Sequence, residues 1–117
     1  MSAEHARLDP ALADRVFSTA ERKMSRLVKD HPGRVPVHTT EGRWSLDDDG
    51  WAPIWTAGFL AGSLWVLAER SGDPWWREQA QRYSRDLAPR RHDKGTHDIG
   101  FLFTPSALRR KSVVEVV

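Results

Sequence analysis

The chain has 117 residues, with 18 Lys and Arg against 16 Asp and Glu; that is the size of one small domain and excludes two independent cores. A hydrophobic fraction of 39% beside 29% charged residues excludes disordered, collagen-like and fibrous classes. The absence of cysteine excludes disulfide scaffolds, thiol nucleophiles and Cys-based zinc sites, and suits a reducing compartment.

A net charge of +2 is too small to argue for nucleic acid as a partner. It hides an asymmetry, since residues 1–80 hold 10 basic and 12 acidic side chains and residues 81–117 hold 8 and 4. The amino terminus, Met1-Ser2-Ala3-Glu4-His5, lacks the basic and then apolar regions of a secretory signal, so the expected location is cytoplasmic. Residues 50–68 are uncharged over 19 positions, long enough for a membrane span. Pro53 interrupts them, however, and Thr56, Gly58, Gly62 and Ser63 dilute the remainder, so a buried helix of a non-membrane protein is expected.

Asp9-Pro10 opens the first helix, with an N-cap acid and a proline at the first helical position. Leu12, Val16, Ala20, Met24 and Leu27/Val28 recur at helical spacing as its expected inner stripe through about Lys29, and His31-Pro32-Gly33 ends it. Residues 35–53 carry Pro36, Gly42 and Asp47-Asp48-Asp49-Gly50 without a sustained period, and read as a long loop. Residues 55–70 form a second helix with almost no charged face, which demands burial on several sides. Ser71-Gly72 stops it and Asp73-Pro74 starts a third helix, so an antiparallel pair is expected. Trp76, Ala80, Tyr83 and Leu87 are the inward stripe of this third helix. A basic loop over residues 89–96 leads to Ile99-Gly100-Phe101-Leu102-Phe103, a candidate fourth helix, and the periodicity fails beyond Ser106. No segment alternates with period two, so the fold class is all-α.

The densest chemical cluster is His92-Asp93 with His97-Asp98. Two histidines five apart do not share a helical face, which argues against a metal site. Asp98, followed by an apolar run, would be partly desolvated, which raises a carboxyl pKa toward values useful in acid–base work; the competing reading is an N-cap for the helix that Ile99 begins. Three consecutive aspartates at 47–49 lack the alternation of a calcium loop and read as a solvated turn. Trp65, Trp75 and Trp76 fit core packing, whereas Trp51 and Trp55, where a loop gives way to a helix, could offer flat apolar faces to a sugar ring. Gly58 and Gly62, four apart, would let another helix approach closely. Arg109-Arg110-Lys111 reads as a solvated end.

Taken together, Trp55-Thr56-Ala57-Gly58-Phe59, Gly62 with Leu64-Trp65, Glu69, Gly72-Asp73 and Thr96-His97-Asp98-Ile99-Gly100-Phe101 resemble the amino-terminal part of the unsaturated glucuronyl hydrolases, glycoside hydrolase family 88. The resemblance runs from the first helix to about Ser106. It implies helical hairpins of an (α/α)6 six-hairpin barrel over residues 1–106, followed by a divergent basic and apolar tail over 107–117. It also implies a substrate: an oligosaccharide left by a polysaccharide lyase, whose terminal uronic acid carries a double bond between C4 and C5. In such enzymes the vinyl ether is protonated, water adds at C5, and the hemiketal rearranges to release the sugar.

By this resemblance Asp98 is the first of two catalytic aspartates, His97 is its neighbour in the substrate site, and Trp55 belongs to the pocket wall; no metal and no cofactor are needed. The second aspartate has no counterpart in these 117 residues, so the resemblance implies an incomplete, inactive fragment whose exposed helix faces could self-associate. Two other readings stay open, a non-catalytic helical interaction module and a sugar-binding remnant using Trp51 and Trp55.

Overall fold

The computed structural model describes residues 9–46, 57–92 and 99–108. In chain order these form helix α1 (Pro10–Asp30), strands β1 (Pro36–Thr40) and β2 (Arg43–Leu46), helices α2 (Ala57–Ser71) and α3 (Pro74–Leu87), a 3-10 turn (Ala88–His92), helix α4 (Ile99–Phe103) and a π-helical turn (Thr104–Leu108). The protein is thus mostly helical with a small two-stranded sheet, and among the described residues no helix is long and apolar enough to cross a membrane.

Both Asp-Pro signals act as the sequence predicts. The Asp9 carboxylate accepts from the Ala11 N–H at 3.0 Å and that of Asp73 accepts from the Trp75 N–H at 2.9 Å, each satisfying a donor that the first helical turn leaves without a partner. The third helix buries Trp76, Ala80, Tyr83 and Leu87, its expected inner stripe.

The core lies between α2 and α3. Leu64, Trp65 and Ala61 of α2 and Ala80 of α3 have no solvent exposure, and the Trp65 indole Nε1 donates to Ser84 Oγ at 2.8 Å. That bond settles the one polar atom that burying a tryptophan would otherwise strand. The Tyr83 hydroxyl donates to the Arg34 carbonyl at 3.2 Å, with the His31 carbonyl at 3.5 Å, tying α3 to the segment that follows α1.

Three expectations change. The segment expected to be loop contains an antiparallel hairpin, in which Thr40 pairs with Arg43, Thr39 with Trp44 and His38 with Ser45, with an irregularity before His38. Its two-residue turn places both Glu41 (φ 51°) and Gly42 (φ 77°) in the left-handed region, the backbone that a tight right-twisted hairpin requires. Glutamate is a poor residue for that position, and a two-stranded ribbon exposed from His38 to Trp44 has no buried face to impose alternation; both facts hide it from a pattern search. The second change concerns α1, whose expected inner stripe is only half used. Val28 is buried and Ala20 and Met24 pack partly on the core, whereas Leu12 and Val16 are 41% and 55% exposed. Residues 89–92, read as loop, belong to the 3-10 turn.

Candidate functional site

Among the described residues, the segments that carry the resemblance meet where α2 packs on residues 99–108. A Cβ built on Gly58 would lie 2.3 Å from the Leu102 carbonyl oxygen and 2.4 Å from that of Phe101. One built on Gly62 would lie 2.8 Å from both the carbonyl oxygen and the Cβ of Pro105. Only glycine allows backbone to approach so closely, and here the close partner expected for the Gly58/Gly62 pair is the 99–108 segment. Because Gly58 faces residues 101–102 and Gly62 faces residue 105, the two segments run in the same direction. Their first described residues, Ala57 and Ile99, follow directly on Thr56 and Asp98 in the chain.

Leu102 is fully buried under this joint, and Ser106, also buried, donates from its hydroxyl to the Leu102 carbonyl. At the leading end of the joint Phe59 and Phe101 sit with ring centroids 6.1 Å apart and planes tilted by 38°. Both remain close to half exposed, at 45% and 47%, so they form an apolar, partly wet ledge beside the starts of the two segments.

Trp55, His97 and Asp98 lie outside the described residues, as do Trp51, Asp93 and the Asp47-Asp48-Asp49 run. Of the two His-Asp pairs, His92 alone is described. It is exposed, and its Nε2 accepts from Arg91 Nε at 3.1 Å. No group of three or more His, Asp or Glu side chains converges as a metal site among the described residues. The three tryptophans expected in packing roles are found there: Trp65 and Trp76 are buried, and Trp75, partly buried, stacks edge-on against Trp76 at 4.8 Å and carries Lys29 Nζ 5.2 Å from its ring centroid.

Among the described residues, concavities also lie outside that stretch. One, of about 270 Å³, runs between α1 and α2 beside Phe17, Met24 and Leu67. The Arg70 guanidinium ties the same two helices, pairing with Asp14 and lying 4.2 Å from the centroid of the Phe17 ring. Another, of about 290 Å³, separates the carboxyl-terminal half of α1 from Trp44 of the hairpin. Trp44 lies in the segment expected to be loop, and a lone tryptophan between Arg43 and Ser45, in a polar run, is the one sequence signal that points to it.

No family model and no solved structure matches the chain. Among curated proteins it is similar to an unsaturated glucuronyl hydrolase of Bacillus sp. (strain GL1), with 36% identity over 88 residues that cover 71% of this chain and 22% of that protein. It is also similar to an unsaturated glucuronyl hydrolase of Formosa agariphila, with 36% identity over 47 residues that cover 40% of this chain and 12% of that protein. The chain therefore spans about a fifth or less of the length of the curated relatives it matches. These likenesses support a distant relationship between the chain and unsaturated glucuronyl hydrolases.

Proposed function

We propose that residues 1–106 correspond to the amino-terminal hairpins of a glycoside hydrolase of family 88, built as a six-hairpin α/α barrel. Such an enzyme would remove the 4,5-unsaturated uronic acid from lyase-generated oligosaccharides. In this reading Asp98 takes part in protonating the vinyl ether, His97 lies beside it in the substrate site, and Trp55 offers an apolar wall to the ring. Water then adds at C5, and the hemiketal opens to release the sugar. The 117-residue chain by itself is inactive in this reading, because the partner aspartate and the rest of the pocket belong to later hairpins.

The observation that carries the reading is the similarity to two hydrolases of the same name. The fold supports it, because the two segments that bear the resemblance pack on each other through glycine-to-backbone contacts rather than lying apart. One alternative has an observation in its favour: the exposed Leu12 and Val16 suit a helical module that docks on a partner.

A chimaera separates the two. Residues 1–106 would replace the corresponding part of the Bacillus relative, and hydrolysis would be followed by loss of ultraviolet absorbance from the conjugated uronic acid. The hydrolase reading expects turnover within about 100-fold of the intact relative, a loss of about 2.7 kcal/mol of transition-state stabilisation. A folded chimaera with no turnover would favour the interaction module.

A further inference from the structure

We propose that the cleft between α1 and the hairpin binds an acidic sugar ring, with the carboxylate at Lys23 and Arg26 and the C–H face of the ring on Trp44. The proposal takes the class of ligand from the function proposed above, but neither its site nor its double bond.

Four observations lead there. Trp44 is 46% exposed although it is the largest side-chain type, and it faces the cleft from a strand that, among the described residues, pairs with β1 alone. An indole held half wet is a flat apolar surface with a polar edge, the kind that takes the C–H face of a ring. The opposite wall is Met24 and Leu27, which stand three apart on α1 and so share a face. The volume, about 290 Å³, lies just below the ~300–1,000 Å³ typical of small-molecule sites and suits one ring rather than a chain of them.

The rim decides the chemistry. Lys23 and Arg26, again three apart, border the cleft with Asp30, and neither cation has an ion-pair partner among the described residues. Two cations call for an anionic group, and an arginine can grip a carboxylate through two parallel N–H donors. Asp30 needs the opposite, a ligand that also donates hydrogen bonds. Inorganic phosphate has no apolar face to set against Trp44, Met24 and Leu27, and a neutral sugar would leave the cations unused. A uronic acid supplies a carboxylate, several hydroxyl donors and an apolar ring face in one residue.

The test uses the 117-residue chain labelled with nitrogen-15, following the indole N–H signals during titration with a saturated glucuronic acid oligosaccharide, which lacks the C4–C5 double bond. The expected result is a saturable shift of the Trp44 signal with Kd of order 1 mM. A neutral glucose oligosaccharide of the same length should bind at least ~10-fold more weakly, a difference of about 1.4 kcal/mol. Lys23→Gln with Arg26→Gln should weaken the acidic ligand by a similar factor while far-ultraviolet circular dichroism stays unchanged, since glutamine is as good a helix former as the residues it replaces. Trp44→Ala should abolish the shift of the backbone signals of Met24 and Leu27. Equal binding of the neutral and acidic sugars, an unmoved Trp44 signal, or full affinity in the double glutamine variant would each overturn the site. Hydrolysis by the chimaera without this binding would overturn the site alone, and binding without hydrolysis would overturn the proposed activity alone.

Discussion

Helix α1 has 21 residues and buries Val28, whereas α2 has 15 and buries Ala57, Gly58, Ala61, Gly62, Leu64, Trp65 and Leu67. The difference follows from how each is built. Helix α1 has one apolar stripe and a charged remainder, so cover along that stripe satisfies it, and Leu12 and Val16 near its start stay largely in water. Helix α2 has no charged residue before Glu69 and must find cover on nearly every side. It has α3 on one flank and residues 99–108 on another, with the second approach possible only because glycines remove the side chains in between. Burial here tracks the number of helix faces without charge rather than helix length or the strength of the apolar stripe.

Substitutions can break or sharpen this contrast. The largest expected loss is for Trp65→Ala, which deletes a fully buried ring and leaves Ser84 without its partner; thermal or urea unfolding should show about 3–5 kcal/mol less stability. Next is Gly58→Ala, which forces a methyl group against the carbonyl oxygens of Phe101 and Leu102. About 3 kcal/mol is expected, from overpacking against backbone that cannot rotate away, and amide exchange at residues 99–106 should rise more than at α3. A cost within about 0.5 kcal/mol would mean that the 99–108 segment is not held by α2 at all. The smallest is Val16→Ser on the exposed part of α1, expected within about 0.5 kcal/mol. A loss above about 2 kcal/mol would show that this face is covered in solution, and would favour a docked partner or a second copy.

The legibility of the fold follows the same division. Helix starts at Asp9-Pro10 and Asp73-Pro74 could be read because capping is local chemistry, and the inner stripe of α3 because a fully covered face repeats every turn. The close approach at Gly58 and Gly62 was signalled by their spacing. Periodicity shows which face of α1 is apolar but not which of its residues a neighbour covers, so Leu12 and Val16, expected on the inner stripe, lie largely in water. The hairpin was hidden by a glutamate in a left-handed turn and by strands with no buried side. As for the site, the resemblance supplied Trp55, His97 and Asp98, all outside the described residues, whereas the Trp44 cleft joins α1 to a hairpin that only the fold brings together.

The central proposal is that residues 1–106 carry half of an acid–base pair at Asp98, which in the chain directly precedes the segment docked against α2, and Asp98→Asn in the active chimaera tests it most directly. A cap needs only an oxygen acceptor, which asparagine retains, and its loss would cost about 1 kcal/mol or less. Proton transfer needs the carboxyl group itself. The account predicts a fall of at least ~100-fold in kcat with the melting temperature nearly unchanged. Near-normal turnover in the Asn variant would contradict it and return Asp98 to a structural cap.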